Sequence, residues 1–214
     1  MHFHLLFVRL FSWLPSISLV LMSLVSFNSN ATQTILVFGD SLSAAYGIDK
    51  NHGWVNLLQK ELVEKHYDYK VINASISGET TAGGLSRIQQ QLEQHQPNIV
   101  ILALGANDGL RGLEIKQIKT NLEKIIKKGQ NAKAKILLLG IKIPPNYGFT
   151  YTRQFEQIYF DLAKAHKLSF RPFFLEGISG EPSLNQEDGI HPNAQAQPLI
   201  VNNIWPALST LLKP

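Results

Sequence analysis

Residues 34–43 read TILVFGDSLS, an apolar run that ends in glycine and is followed at once by small polar residues. An uninterrupted run of this length, rich in β-branched residues, is typical of a strand that is buried on both faces. A second run, NIVILALG at 98–105, has the same form and also leads into a polar loop. Strands buried on both faces occur in parallel sheets covered by helices, so these stretches predict an α/β fold.

The two patterns alternate along the rest of the chain. Apolar residues with helical spacing lie between successive strand-like runs, and a last helix is predicted to begin near Pro192 or Asn193. The predicted strands cover 34–39, 71–75, 98–105, 135–143 and 169–174. Five strands that alternate with helices predict one parallel sheet with helices on both faces.

The N-terminal segment differs in character from the rest of the chain. No charged residue lies between Arg9 and Asp40, residues 11–27 are mostly apolar, and the segment ends in small residues at 29–31. This pattern predicts a signal peptide over 1–31, cleaved after Ala31, and an exported domain over 32–214. The alternative is an uncleaved anchor, but proline and several serines dilute a run that needs about 20 predominantly apolar residues to span a membrane.

Composition excludes several classes of function. The 214 residues include 20 Lys+Arg and 16 Asp+Glu, a net charge of +4 that is too dilute for a nucleic-acid-binding surface. The chain has no cysteine, which removes disulfides, thiolate nucleophiles and cysteine zinc sites. It also contains no nucleophile elbow, zincin motif or P-loop. We predict neither a metal nor a cofactor.

Candidate chemistry lies in the polar loops that come after predicted strands, because the sites of open parallel sheets form at those carboxyl ends. Ser41 follows the first strand, at a predicted helix N-terminus where backbone N–H groups favour negative charge; the alternative there is a simple helix cap. His191 follows Asp188 by three residues. A carboxylate so placed can orient an imidazole that takes a proton from serine.

Two further residues fit the same chemistry. Gly78 offers a backbone N–H that can be approached closely, and Asn107 offers a side-chain amide at the end of the apolar run 98–105. Together with the Ser41 N–H, they could form an oxyanion hole, although glycine and asparagine also occur as ordinary turn residues.

These segments resemble the four blocks of the SGNH (GDSL-type) hydrolases, in the family's order. The blocks are GDSLS at 39–43, Gly78, GANDG at 105–109 and DGIHP at 188–192, and the resemblance extends over 34–212. INASISGET at 72–80 and IPPNYG at 143–148 resemble more narrowly the secreted Gram-negative thioesterase I, lysophospholipase and arylesterase group.

The resemblance implies a fold, a site and a location. The fold is a flavodoxin-like three-layer α/β/α sandwich with a five-stranded parallel sheet. Ser41 is implied as nucleophile, His191 as base and Asp188 as orienting acid. Ser41, Gly78 and Asn107 are implied as the oxyanion hole. Asp40 and Asp108 are interpreted as loop-organising acceptors, and the periplasm of a Gram-negative bacterium, or secretion, is the expected location.

The implied reaction is hydrolysis of carboxylic esters and thioesters through an acyl-enzyme, with fatty acyl esters, acyl thioesters and lysophospholipids as substrates. We interpret Leu110, Tyr147 and Phe149 as substrate-binding residues, with ordinary loop packing as the alternative. Small polar residues over 176–187 leave short-chain or aryl esters open as better substrates. A carbohydrate O-deacetylase and a non-catalytic acyl-binding envelope protein are the alternative functions. We expect a monomer that needs no cofactor, nucleic acid or protein partner.

Overall fold

In the computed structural model, residues 32–213 are described, and the predicted signal peptide over 1–31 lies outside them. The described part contains five parallel strands in the order β2-β1-β3-β4-β5. They are β1 (Gln33–Gly39), β2 (Tyr69–Asn73), β3 (Ile99–Ala103), β4 (Lys135–Leu139) and β5 (Ser169–Arg171). The predicted five-stranded parallel sheet is therefore confirmed.

Six α-helices within residues 32–213 connect and cover the strands. They are α1 (Trp54–Glu64), α2 (Thr81–His95), α3 (Ala106–Leu110), α4 (Ile115–Asn131), α5 (Phe149–His166) and α6 (Gln197–Ser209). Helices α1 and α6 pack together on one side, whereas α2, α4 and α5 form a second group that also contacts the sheet. This is the predicted three-layer α/β/α arrangement. Over the same residues, no helix has both the length and the apolar character needed to cross a membrane.

The middle of the sheet is the core of the domain. Strand β1 lies between β2 and β3, and its residues Ile35 to Phe38 are fully buried. Val37 pairs in register with Ile101 of β3, which is buried as well. Because both faces of β1 are covered by helices, its apolar residues do not alternate with polar ones, as the opening sequence run indicates.

Several element bounds differ from the predicted ones. Strand β4 ends at Leu139 instead of 143, and β5 ends at Arg171, before Pro172, which has no N–H to donate to a neighbouring strand. The last helix begins at Gln197 instead of 192 or 193. The cause is Asn193, whose side chain accepts hydrogen bonds from Gln195 and Ala196 and caps a short 3₁₀ turn over 194–196 first.

Candidate active site

The topology brings four polar segments to one edge of the sheet: 39–43, the loop with Gly78, 105–109 and 188–192. Each segment follows the carboxyl end of a strand or lies beside one. Ser41 Oγ lies 2.9 Å from His191 Nε2, although the two residues are 150 positions apart. His191 Nδ1 lies 2.7 Å from Asp188 Oδ2. The three side chains thus form a continuous hydrogen-bonded series of serine, histidine and carboxylate.

Asp188 is held in its ionised form by its surroundings. Its Oδ1 accepts hydrogen bonds from the backbone N–H groups of Ile190 and His191, both at 3.0 Å. Desolvation acts to raise the pKa of Asp188, but these bonds and the imidazole outweigh it and lower the pKa to about 2. An ionised Asp188 accepts a hydrogen bond from the Nδ1–H of His191 and so leaves Nε2 free to accept the hydroxyl proton of Ser41.

The segment that carries Ser41 corrects one prediction. Residues 41–47 form a series of turns, and the first α-helix begins only at Trp54, so Ser41 does not lie at a helix N-terminus. Asp40 organises the turn instead: its Oδ1 accepts from Leu42 N at 3.1 Å, and its carbonyl accepts from Ala44 N at 3.0 Å. Stabilisation of negative charge here depends on individual N–H groups and not on a helix dipole.

Three residues that carry such donors, Ser41, Gly78 and Asn107, line the same cavity. Within residues 32–213, neither the Ser41 N–H nor the Gly78 N–H donates to a protein acceptor. Asn107 Nδ2 donates one hydrogen to the Glu79 carbonyl at 3.0 Å, which fixes the amide and leaves its second hydrogen available. Gly78 has a φ of +78°, a conformation that strains residues with a side chain.

Two buried aspartates, Asp40 and Asp108, support this edge of the sheet. Among residues 32–213, their side chains make no hydrogen bond to the side chains of Ser41, His191 or Asp188. Asp108 accepts from Thr81 N at 2.8 Å and from Thr81 Oγ1 at 2.5 Å, and so joins α3 to the start of α2. Asp40 Oδ2 is buried without a hydrogen-bond partner among the described residues. Burial, with smaller contributions from Asp108 and Glu79, raises the pKa of Asp40 to about 7 against the opposing Leu42 N–H bond.

A cavity of about 640 Å³ opens beside Ser41 and His191. Its walls come from the loops after all five strands, and most of its lining side chains are apolar. The apolar lining residues include Leu42, Leu110, Ile141, Ile143, Phe173 and Leu175. Small residues, Ser179 and Gly180, form another part of the wall. A cavity of this size and character suits an apolar acyl group.

The residues interpreted as substrate-binding occupy different positions. Leu110 lines the cavity, whereas Tyr147 and Phe149 are not among the lining residues. Tyr147 donates its hydroxyl proton to the Leu110 carbonyl at 2.8 Å, so it supports the end of α3, where Leu110 lines the cavity. The Phe149 side chain is 76% exposed. Of the three, only Leu110 is placed to contact a molecule in this cavity.

Tyr46 lies beside His191, and no sequence motif predicts this contact. The Tyr46 ring lies 4.6 Å from the His191 ring, centroid to centroid, and Tyr46 also lines the cavity. Its sequence position, five residues after Ser41, carries no motif, and the contact depends on a loop that comes 145 residues later. Among residues 32–213, no cluster of three or more His, Asp or Glu side chains could hold a metal ion.

Comparison with known proteins places this architecture among the hydrolases. The model of the GDSL-like Lipase/Acylhydrolase family matches residues 37–198, a range that includes Ser41 and His191. The chain belongs to this family and is an enzyme that hydrolyses ester bonds.

Relatives of the chain are esterases and thioesterases by name. It is 50% identical over 182 residues to Esterase TesA of Pseudomonas aeruginosa, with 85% of this chain and 90% of the relative covered. It is 45% identical over 184 residues to an arylesterase of Vibrio mimicus, covering 86% and 92%. An Escherichia coli enzyme named for thioesterase, protease and lysophospholipase activities is 42% identical over 197 residues, covering 92% of both chains.

Solved structures agree with these matches. The crystal structure of TesA superposes with a TM-score of 0.83 at 50% identity, covering 84% of this chain and 100% of the other. A psychrotrophic esterase, EstA from Pseudoalteromonas sp., gives a TM-score of 0.80 at 44% identity, covering 83% and 97%, in a structure inhibited by monoethylphosphonate.

Proposed function

We propose that the protein is a serine acyl hydrolase in which Ser41 is the nucleophile, His191 the general base and Asp188 the group that orients the histidine. The observation that carries the proposal is the series of two short contacts, 2.9 Å from Ser41 to His191 and 2.7 Å from His191 to Asp188, beside an apolar cavity.

The reaction follows from the positions of the protons. His191 Nε2 takes the proton of the Ser41 hydroxyl while Oγ attacks the carbonyl carbon of an ester or thioester. The carbonyl oxygen becomes negative and is met by the Ser41 N–H, the Gly78 N–H and the Asn107 amide. The protonated histidine then gives its proton to the departing alcohol or thiol. Water, activated by the same histidine, releases the acid from the acyl-enzyme.

For the substrate, we propose esters and thioesters with an apolar acyl group, including fatty acyl esters, acyl thioesters and lysophospholipids. The apolar side chains from the loops after β3 and β4 support this class, since they offer few partners for sugar hydroxyls. Leu110 is the one proposed binding residue that lines the cavity. The names of the relatives, which include arylesterase and thioesterase, support the same range of leaving groups.

The test compares the wild-type chain with Ser41→Ala and His191→Ala on p-nitrophenyl esters of increasing chain length, a lysophospholipid and an acyl thioester. We expect kcat to fall by roughly 10⁴-fold or more in either variant, because removal of one member disables the group as a unit. A Ser41→Ala enzyme with wild-type turnover would contradict the proposal.

We also propose export, with cleavage between Ala31 and Thr32, and a monomer that acts on small-molecule substrates without a protein partner. The charge-poor apolar segment before Asp40 supports the leader. Expression of the full chain in a Gram-negative host should give a periplasmic product whose first residue is Thr32. A membrane-bound product that keeps residues 1–31 would contradict cleavage, and light scattering would test the monomer.

A further inference from the structure

The proposed reaction depends on the distance between two loops that are remote in sequence. Ser41 lies on the turn over 40–47, which we call the nucleophile turn, and His191 lies on the turn over 186–192, which we call the histidine turn. Neither turn is part of the sheet. Because a misplacement of about 1 Å can lower turnover about 100-fold, something must hold these turns at a fixed separation.

One side chain contacts both turns. Gln186 Nε2 donates to the carbonyl of Tyr46 on the nucleophile turn at 2.8 Å and to the carbonyl of Pro192 at 3.2 Å. The backbone N–H of Gln186 donates to the carbonyl of His191 itself at 2.8 Å. We propose that Gln186 is a positioning residue that sets the separation of Ser41 and His191, an inference that rests on the proposed function.

The nucleophile turn is shaped to receive this carboxamide. Gly47 follows Tyr46 with a φ of +73°, and a Cβ at this position would collide with Gln186 Oε1. The absence of a side chain at Gly47 therefore lets the carboxamide lie directly against the turn. Glycine at 47 and glutamine at 186 form a matched pair of positions.

The same hydrogen bond also acts on the histidine through an aromatic contact. Tyr46, whose carbonyl Gln186 holds, places its ring 4.6 Å from the His191 ring, centroid to centroid. Residue 186 thus contacts His191 by two routes: its backbone N–H holds the histidine carbonyl, and its side chain holds Tyr46, whose ring packs on the imidazole. A replacement of Gln186 keeps the first contact and removes the second. Both constraints fix the direction in which Nε2 faces Ser41.

A neighbouring glutamine has a different role and helps to separate positioning from folding. Gln197 is 3% exposed, accepts from Trp54 N at 3.0 Å and donates to the Asn193 carbonyl at 3.1 Å. It anchors the start of α1 to the start of α6 inside the core. Gln186 is only half-buried and belongs to no helix or strand, so its replacement should leave the core intact.

The test uses two replacements of Gln186 with matched controls. Gln186→Glu keeps the shape but replaces the N–H donor with a carboxylate, and Gln186→Ala removes the side chain without adding charge. The controls are Gln195→Glu and Gln195→Ala, because Gln195 is exposed, lies four residues from His191 and makes no side-chain hydrogen bond among residues 32–213. We would measure kcat and KM for p-nitrophenyl butyrate, the rate of Ser41 phosphonylation by a p-nitrophenyl phosphonate, and the unfolding midpoint.

Both Gln186 variants should show kcat lowered about 10- to 100-fold with KM within about twofold of wild type, and phosphonylation slowed by the same factor, because both reactions need proton transfer from Ser41 to His191. The Gln195 variants should match wild type. Wild-type kcat in the Gln186 variants, a change confined to KM, or a loss explained by unfolded protein at the assay temperature would overturn the inference. A fully active Ser41→Ala enzyme would instead overturn the proposed function, so the two failures are distinguishable.

Discussion

Asn107 combines two tasks in one amide group. One hydrogen of Nδ2 is used to hold the Glu79 carbonyl, and the other is available on a residue that lines the same cavity as Ser41. Replacement by alanine removes one of three donors, so we expect Asn107→Ala to lower kcat about 10²- to 10³-fold with little change in KM. Steady-state kinetics on a short p-nitrophenyl ester would measure this. Asn202→Ala, on the exposed side of α6, is the control, and equal kcat in the two variants would contradict the role.

Asp40 makes the stability of the fold depend on pH. Its pKa rises from 3.8 to about 7 because it is buried, so the folded chain keeps the proton that the unfolded chain loses first. Its contribution to stability is full below about pH 4 and is lost as pH rises toward 7, at about 1.4 kcal/mol per pH unit. Asp40→Asn cannot ionise and escapes this loss. We therefore expect the unfolding free energy of Asp40→Asn, relative to that of wild type, to be roughly 2 to 3 kcal/mol higher at pH 8 than at pH 5.

Urea unfolding at the two pH values would measure this change. Asp49→Asn is the control, because Asp49 is an exposed residue that caps the 3₁₀ turn over 50–52. A free-energy difference between wild type and Asp40→Asn that stays the same at both pH values would contradict the assignment. Asp188 behaves in the opposite way: its lowered pKa stabilises the fold above about pH 4, and that contribution is lost as pH falls toward 2.

At the scale of elements, the buried carboxylate of Asp108 links α3 to α2 and, through Thr81, to α4. Asp108 in α3 accepts two hydrogen bonds from Thr81 at the start of α2, and Asn121 in α4 donates to the same threonine hydroxyl at 3.1 Å. Asp108→Ala would leave a buried N–H and hydroxyl without their acceptor, and we expect it to cost about 2 to 3 kcal/mol of unfolding free energy. Chemical denaturation would measure it. The exposed cap variant Asp49→Ala should cost less than half as much; equal costs would contradict the account.

The elements also show which features the sequence could predict. The five strands and their alternation with helices follow from apolar periodicity, and the structure confirms them. The predicted extension of β4 to 143 was wrong because Ile141 and Ile143 are apolar for another reason: they line the cavity. Periodicity cannot separate a residue that faces a cavity from one that faces a helix. The predicted helix after Ser41 was wrong because Ala45, with a φ of +59°, turns the chain before a helix forms.

At the scale of the whole molecule, the order of the strands decides what the site contains. Ser41 follows β1, and the cavity beside it is lined by residues that follow each of the five strands, so its walls combine loops from five separate parts of the chain. Local motifs predicted the residues around Ser41 and His191, since each motif is continuous in sequence. They could not predict that Leu110 lines the cavity whereas Phe149 is 76% exposed, because that distinction depends on how distant loops pack.

The same whole-molecule view gives a prediction for chain-length preference. Ser179 is a small, exposed residue on the loop after β5, and it forms part of the cavity wall. Leucine at this position would occupy cavity volume that a long acyl group needs. Exclusion of a methylene from such a pocket costs about 1 to 3 kcal/mol of transition-state binding free energy. We therefore expect Ser179→Leu to lower kcat/KM about 10-fold or more for dodecanoyl and longer p-nitrophenyl esters. The kcat/KM for the acetyl ester should stay within about twofold of wild type. Ser179→Ala, which adds no bulk, should keep the wild-type profile. If Ser179→Leu lowered kcat/KM equally for all acyl chain lengths, the acyl group would not extend along this wall. The loop over 176–187 would then affect turnover by a route other than the volume of the cavity.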